Sequence, residues 1–272
     1  MADKATAPKL ELRDLTVVYR SRSGDDVHAV DDLSLSIADK HGHGEIIVFL
    51  GPSGCGKSSI LRCVAGLTTP TKGAVLVDGE TVGGVGRDRG MVFQGYTSFA
   101  WLTVLENVAY GLRLQGIARR QAEEAAMVYV DAVGLGKSAK LYPKELSGGM
   151  KQRVAIARSL INKPKLLLMD EPFGALDPLT RAALQREFSA LQKSLGKTVV
   201  FVTHDVREAF LLGTRVGLMH AGRLVLLDMP QAFMRSEEPR ARAYLETLRL
   251  NDEILSALSP GVESQARAGD DG

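Results

Sequence analysis

The chain has little of what marks a disulfide-built, membrane-spanning or nucleic-acid-binding protein. Among 272 residues there are only two cysteines, Cys55 and Cys63. Both fall on one predicted turn and helix, and eight helical residues span roughly 12 Å. That is too far for a disulfide without moving backbone, which excludes a disulfide scaffold. Aromatic residues make up 6% with a single tryptophan, Trp101, so no base-stacking platform is expected. Neither sign of charge dominates, with Lys+Arg 34 against Asp+Glu 32, which argues against a basic nucleic-acid surface. Long apolar runs are missing too. Residues 46–50 and 199–202 are far too short to cross a bilayer, and residues 1–13 have no apolar core of a signal peptide. A soluble, cytoplasmic protein is expected, without internal repeats. At 45% hydrophobic and 24% charged, it has enough apolar residues for one large domain with a helical insertion.

What is present is a sequence of strand and helix signals. Residues 10–19 alternate in a strand-like way and residues 29–37 do so again, through Val30, Leu33, Leu35 and Ile37. The polar, Gly-containing turn between them predicts an antiparallel β region at the start. Residues 46–50 form a continuous apolar run, as in a strand buried on both faces of a parallel sheet. They lead into a Gly-rich loop and then a helix over residues 58–65. Helical periodicity over 103–116 and 118–133, with Glu106, Arg113, Arg119, Arg120, Glu123 and Glu124 for the wet face, predicts a helical block inserted into the α/β core. Residues 166–169 and 199–202 are further buried strands, and a helix over 181–195 between them gives a βαβ pattern. Past about Leu250 the composition turns to Ser, Gly, Asp and Ala, and a disordered tail is expected.

Three strings carry chemistry. Gly51-Pro52-Ser53-Gly54-Cys55-Gly56-Lys57-Ser58 fits the phosphate loop in full, in the strand–loop–helix context that the chemistry needs. Its glycines let backbone N–H groups close on phosphate oxygens, and the following helix directs its positive end there. Lys57 is expected to neutralise β- and γ-phosphate charge, and Ser58 to hold Mg²⁺. Ser59 counts with the nucleotide-binding residues. Cys55 is read as a small residue fitting a tight loop, with an oxidation-sensitive thiol as the other reading. In the second string, Asp170 and Glu171 end an apolar strand, where ligands bind in open α/β sheets. Asp170 is the expected Mg²⁺ carboxylate, either touching the ion or acting through one of its ligands, and Glu171 the group that orients and deprotonates the attacking water. The plainer reading is two acids capping a strand before Pro172. In the third, Leu146-Ser147-Gly148-Gly149-Met150, Ser147 is a predicted N-cap and the glycines expose donors at a helix N-terminus, a place for an anion.

In this combination the chain resembles the ATP-binding subunit of an ABC transporter, over roughly residues 9–248, with a helical subdomain over about 95–160 and a tail over 249–272. The resemblance implies a P-loop NTPase core of mostly parallel sheet, with an N-terminal antiparallel β region and an inserted helical subdomain. It implies that Tyr19 stacks on adenine, whereas taken alone it would be a core tyrosine at a strand end. Gln94, after Met91-Val92-Phe93, would touch Mg²⁺ and the attacking water and sense the membrane subunit. Asp177, in Ala175-Leu176-Asp177, would couple two sites, and His204 would contact the γ-phosphate. Two copies would sandwich two ATP molecules, with Ser147, Gly148 and Gly149 of one completing the site of Lys57 and Glu171 of the other. Permease subunits would dock beside residues 94–101. Trp101 either lines that groove or anchors the helical insertion.

Leu146 to Met150, followed by Lys151-Gln152-Arg153-Val154-Ala155-Ile156-Ala157-Arg158, is similar to importers of the nitrate, sulfonate and taurine group. So are the stretches from Met169 to Asp177 and from Trp101 to Val108. Glycine betaine importers are the near alternative, but they usually carry a long regulatory extension. Ala100 and residues 95–99 depart from the group's pattern. His41-Gly42-His43-Gly44 lengthens a turn and reads as solvated rather than metal-binding, since no third ligand is nearby. The expected location is the cytoplasmic face of the membrane, and the expected partners are a second copy, membrane permease subunits and, indirectly, an external solute-binding protein. The rivals are a non-transport ATPase acting on ribosomes or DNA, usually two ATPase halves or a coiled-coil insertion, and an exporter half, usually fused to its membrane domain. No nucleic acid is expected.

Overall fold

A computed structural model describes residues 8–21, 23–38, 44–95 and 97–258. The His41 and His43 expectation lies outside them, as do residues 259–272.

The early alternation becomes β1 (Leu10–Arg20) and β2 (Asp26–Ile37), paired antiparallel. Leu10, Leu12, Leu15 and Val17 on the inward positions of β1 are buried. The run over 46–50 is β3 (Ile46–Leu50), buried at every residue. After it come α1 (Lys57–Ala65), β4 (Lys72–Val77), β5 (Glu80–Thr81) and β6 (Arg89–Val92). The antiparallel sheet is wider than the opening hairpin suggests, because β4 pairs with the free edge of β1, giving the order β2-β1-β4-β5.

The helical block holds α2 (Val104–Arg113), α3 (Arg119–Ala132) and α4 (Gly148–Leu160). Thr103 and Glu106 close a reciprocal capping box on α2, which starts the helix one residue later than its periodicity suggests. The charged face is laced by Arg119 to Glu106 and Glu123, at 2.8 and 2.6 Å, and by Arg120 to Glu124 at 2.9 Å. Exposed pairs of this kind contribute at most about 1 kcal/mol each. The apolar seam does more: Val104, Val108, Ala122, Ala126, Val130, Val154 and Ala157 form a separate buried cluster. The opposite side of α4 faces elsewhere, with Ala155, Ile156 and Leu160 in the main core. One helix therefore belongs to both bodies.

The chain continues through β7 (Leu166–Asp170), α5 (Pro178–Leu195), β8 (Thr198–Thr203), α6 (Val206–Leu212), β9 (Arg215–His220), β10 (Arg223–Asp228), α7 (Pro230–Phe233) and α8 (Pro239–Leu258). Helix α5 begins a turn earlier than expected because Asp177 caps it and Pro178 takes the first helical position. Helix α8 runs to Leu258, past the expected end of structure near residue 250. Ile254, Leu255, Ala257 and Leu258 still favour helix, and the shift to loop-forming residues comes only after them.

The main sheet has the order β10-β9-β3-β8-β7-β6, parallel except for the β10 edge. Helix α1 and the antiparallel sheet cover one face, and α4, α5, α6 and α8 contribute to the core on the other. Cover on both faces is why β3, β7 and β8 read as unbroken apolar runs rather than alternating ones.

Asn107 on α2 is fully buried. Its Oδ1 accepts from the Phe99 N–H at 2.8 Å, and its Nδ2 lies 2.9 to 3.0 Å from the carbonyls of Phe99, Leu102 and Thr103. Asn107→Ala would leave these groups unpaired and is expected to cost about 2–4 kcal/mol. A lower urea midpoint with an unchanged m value would report it.

Candidate functional site

The phosphate loop is shaped by its glycines, and at Gly56 a side chain would collide with backbone. Gly56 has φ 103°, and a Cβ there would stand 2.0 Å from the Ala29 carbonyl oxygen. The loop is also braced from a direction the sequence did not reveal. The β9–β10 turn, Ala221-Gly222, has positive φ at both residues, the two-residue turn that suits a twisted hairpin. From that turn the Gly222 N–H donates to the Cys55 carbonyl at 3.2 Å, and the Gly222 carbonyl accepts from Asp31 N–H at 2.9 Å. Cys55 and Cys63 are free thiols, both buried. Burial pushes the Cys55 thiol up and that of Cys63 to about 11. Both are therefore protonated at neutral pH, which favours the small-residue reading of Cys55.

Lys57 is 4% exposed and donates to the carbonyls of Gly51 and Pro52 at 2.7 and 2.9 Å. The lysine thus lies back along the loop it follows. Ser58 Oγ donates to Asp170 Oδ1 at 2.9 Å, which joins the first string to the second. Burial raises the Asp170 carboxyl, the Ser58 hydroxyl lowers it, and the neighbouring Glu171 charge raises it again.

Glu171 sits at φ 44°, a left-handed conformation rare for a side chain of this kind. Its N–H is held by the Val202 carbonyl at 2.9 Å. This bend lifts the carboxylate off the strand axis toward Gln94 and His204. Gln94 Nε2 donates to Glu171 Oε2 at 3.2 Å, and His204 Nδ1 lies 3.1 Å from the same oxygen. Lys57, Ser58, Asp170, Glu171, Gln94 and His204 thus gather at the carboxyl ends of β3, β6, β7 and β8.

The remaining predicted residues sit on other elements. Ser147 caps α4 by accepting from the Met150 N–H at 3.3 Å, and Asp177 caps α5 by accepting from the Thr180 N–H at 3.0 Å. The two helix N-termini are close, since a Cβ on Gly149 would meet Thr180 Cγ2 at 2.6 Å. Among the described residues, no hydrogen bond or ion pair joins Ser147, Gly148 or Gly149 to the Glu171 group. Tyr19 is 38% exposed near the end of β1, which is not the setting of a core tyrosine. Trp101 is 72% exposed, and its ring centroid is 5.5 Å from that of Phe99. An anchor would be buried, so of the two readings the surface one fits.

A family model described as ABC transporter matches residues 30–174, more than half the chain. The chain belongs to the ABC transporter family. It is 43% identical to a nitrate import ATP-binding protein of Synechocystis, over 92% of this chain and 94% of that one. A spermidine/putrescine import ATP-binding protein of Lawsonia intracellularis is 42% identical, over 95% of this chain and 69% of that one. Among solved structures, a dimeric post-hydrolysis ATP-binding cassette bound to ADP and Pi matches with TM-score 0.71 and 32% identity, over 81% of this chain and 98% of that one.

In this ABC protein a further group of polar residues backs the His204 loop, and no motif pointed to it. Gln185 on α5 donates to Glu208 on α6 at 2.9 Å, both buried. Arg181 donates to the Leu176 carbonyl at 3.0 Å and stands 3.8 Å from Asp205. The only sequence signal was polar residues on inward helical positions. Burial raises the Glu208 carboxyl; Thr203 and Gln185 pull it back, Asp205 raises it and Arg181 lowers it. A raised carboxyl favours folding while it is protonated, and that advantage is lost as pH rises through its folded-state value. Glu208→Gln keeps the shape and removes the ionisation. It is expected to raise Tm at neutral pH, with the gain disappearing as pH falls into the carboxylate range.

Proposed function

We propose that this ABC ATPase is the ATP-hydrolysing, energy-coupling subunit of an importer, and that its solute is nitrate, a sulfonate, taurine or a related small molecule. The observation that carries the hydrolytic part is the Glu171 carboxylate, set between the Gln94 amide and the His204 ring at 3.2 and 3.1 Å beside the Ser58–Asp170 pair.

In this reading Lys57 exchanges the carbonyls of Gly51 and Pro52 for the β- and γ-phosphates of ATP. Residues 51–59 wrap the phosphates with backbone donors. Glu171 orients the attacking water and takes its proton, while Gln94 fixes the carboxylate and contacts that water. His204 reaches the γ-phosphate, and Tyr19 stacks on adenine. The Ser58 hydroxyl, the Asp170 carboxylate and the Gln94 amide oxygen are hard oxygen donors, a set that fits Mg²⁺ held jointly with phosphates. Bound there, the ion would offset phosphate charge.

Ser147, Gly148, Gly149 and Asp177 serve the nucleotide of a second copy. Support comes from their position at paired helix N-termini, with no hydrogen bond to Glu171 among the described residues, and from the dimeric cassette to which the chain is similar. In this reading the exposed face at Trp101 receives permease subunits, and the protein works at the cytoplasmic face of the membrane. Among the described residues no helix is long and apolar enough to span it. The string from Leu146 to Arg158 and the nitrate-import relative favour this group of solutes. An external binding protein, reached only through the permease, would select among them.

Glu171→Gln is expected to keep ATP binding, to slow turnover by about 10²–10⁴-fold, and to run as an ATP-dependent dimer on gel filtration. A monomer under saturating ATP would sink the shared site. Trp101→Ala is expected to weaken co-purification with the permease about tenfold. Undiminished assembly would return Trp101 to surface packing against Phe99.

A further inference from the structure

Helix α4 has a polar residue of consequence at each end. Ser147 caps its start, and Arg158 lies on its last turn, about 16 Å further along the axis. Arg158 turns away from the helix to grip a different segment. Its Nη1 donates to the Thr97 carbonyl at 2.7 Å, its Nη2 donates to the Thr97 hydroxyl, and its guanidinium lies over the Phe99 ring at 5.1 Å. Among the described residues no carboxylate pairs with it, and burial lowers its pKa. A half-buried cation without an anion still carries part of the desolvation cost of a buried one. The carbonyl, the hydroxyl and the ring face offset that cost only while residues 97–99 stay where they are.

The gripped segment has functional groups on both sides. Gln94, whose amide touches Glu171, lies three positions before it, and the exposed Trp101 lies two positions after it. Phe99 is the pivot: it contacts Trp101 at 5.5 Å and Tyr110 at 4.6 Å between ring centroids. Asn107 holds the Phe99 backbone from α2. A cleft of about 240 Å³, lined in part by Met91, Phe99, Tyr110 and Arg158, gives these rings room to shift.

We infer that Arg158 is a positioning residue that ties the Ser147 end of α4 to the segment presenting Trp101. ATP drawn against Ser147 by the second copy then moves the permease-facing surface. This rests on the shared-site reading above. A close-packed helix carries a displacement along its length, and the fork at Thr97 hands it to the segment. Asn107 keeps the other side of Phe99 on α2, so the segment turns about that ring.

The chain has one tryptophan, so its fluorescence reports this segment directly. In full-length Glu171→Gln protein, ATP is expected to shift Trp101 emission as the dimer forms. Adding Arg158→Met should leave the ATP-dependent dimer and Tm intact and reduce the emission change about fivefold or more. If Arg158→Met does not fold, Arg158→Lys serves instead; it keeps the charge, loses the fork, and should lose most of the change. A dimer whose emission is insensitive to ATP with Arg158 present, or fully responsive without it, overturns the inference alone. No ATP-dependent dimer overturns the shared-site reading and the inference with it.

Discussion

The register of three buried strands is the constraint from which the rest follows. Leu50 on β3 stands opposite Thr203 on β8, and Asp170 on β7 stands opposite Val202. With helices and a second sheet covering both faces, a slip by one residue would bring polar groups into the core. The strands therefore end at one level, and each ending delivers a different chemical group. Lys57 and Ser58 follow β3, Asp170 closes β7 with Glu171 just after it, and His204 follows β8. None of these side chains needs a long reach. The positive φ at Glu171 is the one local departure, and it brings a single carboxylate oxygen within reach of Gln94 and His204.

That edge is costly for the fold to hold. Asp170 and Glu208 are desolvated carboxyls, and Lys57 is buried with only loop carbonyls and a thiol around its ammonium. Such groups are tolerated because the apolar clusters beneath are large. Perturbed groups gathered at strand ends are a recurring mark of functional sites. The same logic applies in part to Arg158, whose half-buried guanidinium has a carbonyl, a hydroxyl and a ring in place of an anion.

The division of α4 between two apolar clusters gives the molecule its mechanical character. Val154 and Ala157 pack in the helical block, while Ala155, Ile156 and Leu160 pack on the main sheet. A helix fixed on both sides cannot move without moving what it carries. Its N-terminus lies against that of α5 at Gly149 and Thr180, so the residues assigned to a second copy form one surface built from two helices.

Much of this was legible in the residues themselves. Continuous apolar runs marked the parallel strands, the Gly-rich string fixed the phosphate loop, and Ser147 before its glycines announced a helix cap. Each is a local signal, written within a few residues of where it acts. Local signals did not reveal β4 and β5 joining the first sheet, because that pairing depends on which edge of β1 is left free. The brace from Gly222 to Cys55, the Gln185–Glu208 pair and the Arg158 grip on Thr97 were equally silent. Their partners are 23 to 167 positions apart, and nothing in either stretch names the other. The sequence by itself determined the chemistry, since residue type and local turn geometry decide what can hold a phosphate. Tertiary structure alone decided which groups meet, because only the packed core brings distant positions within hydrogen-bond distance.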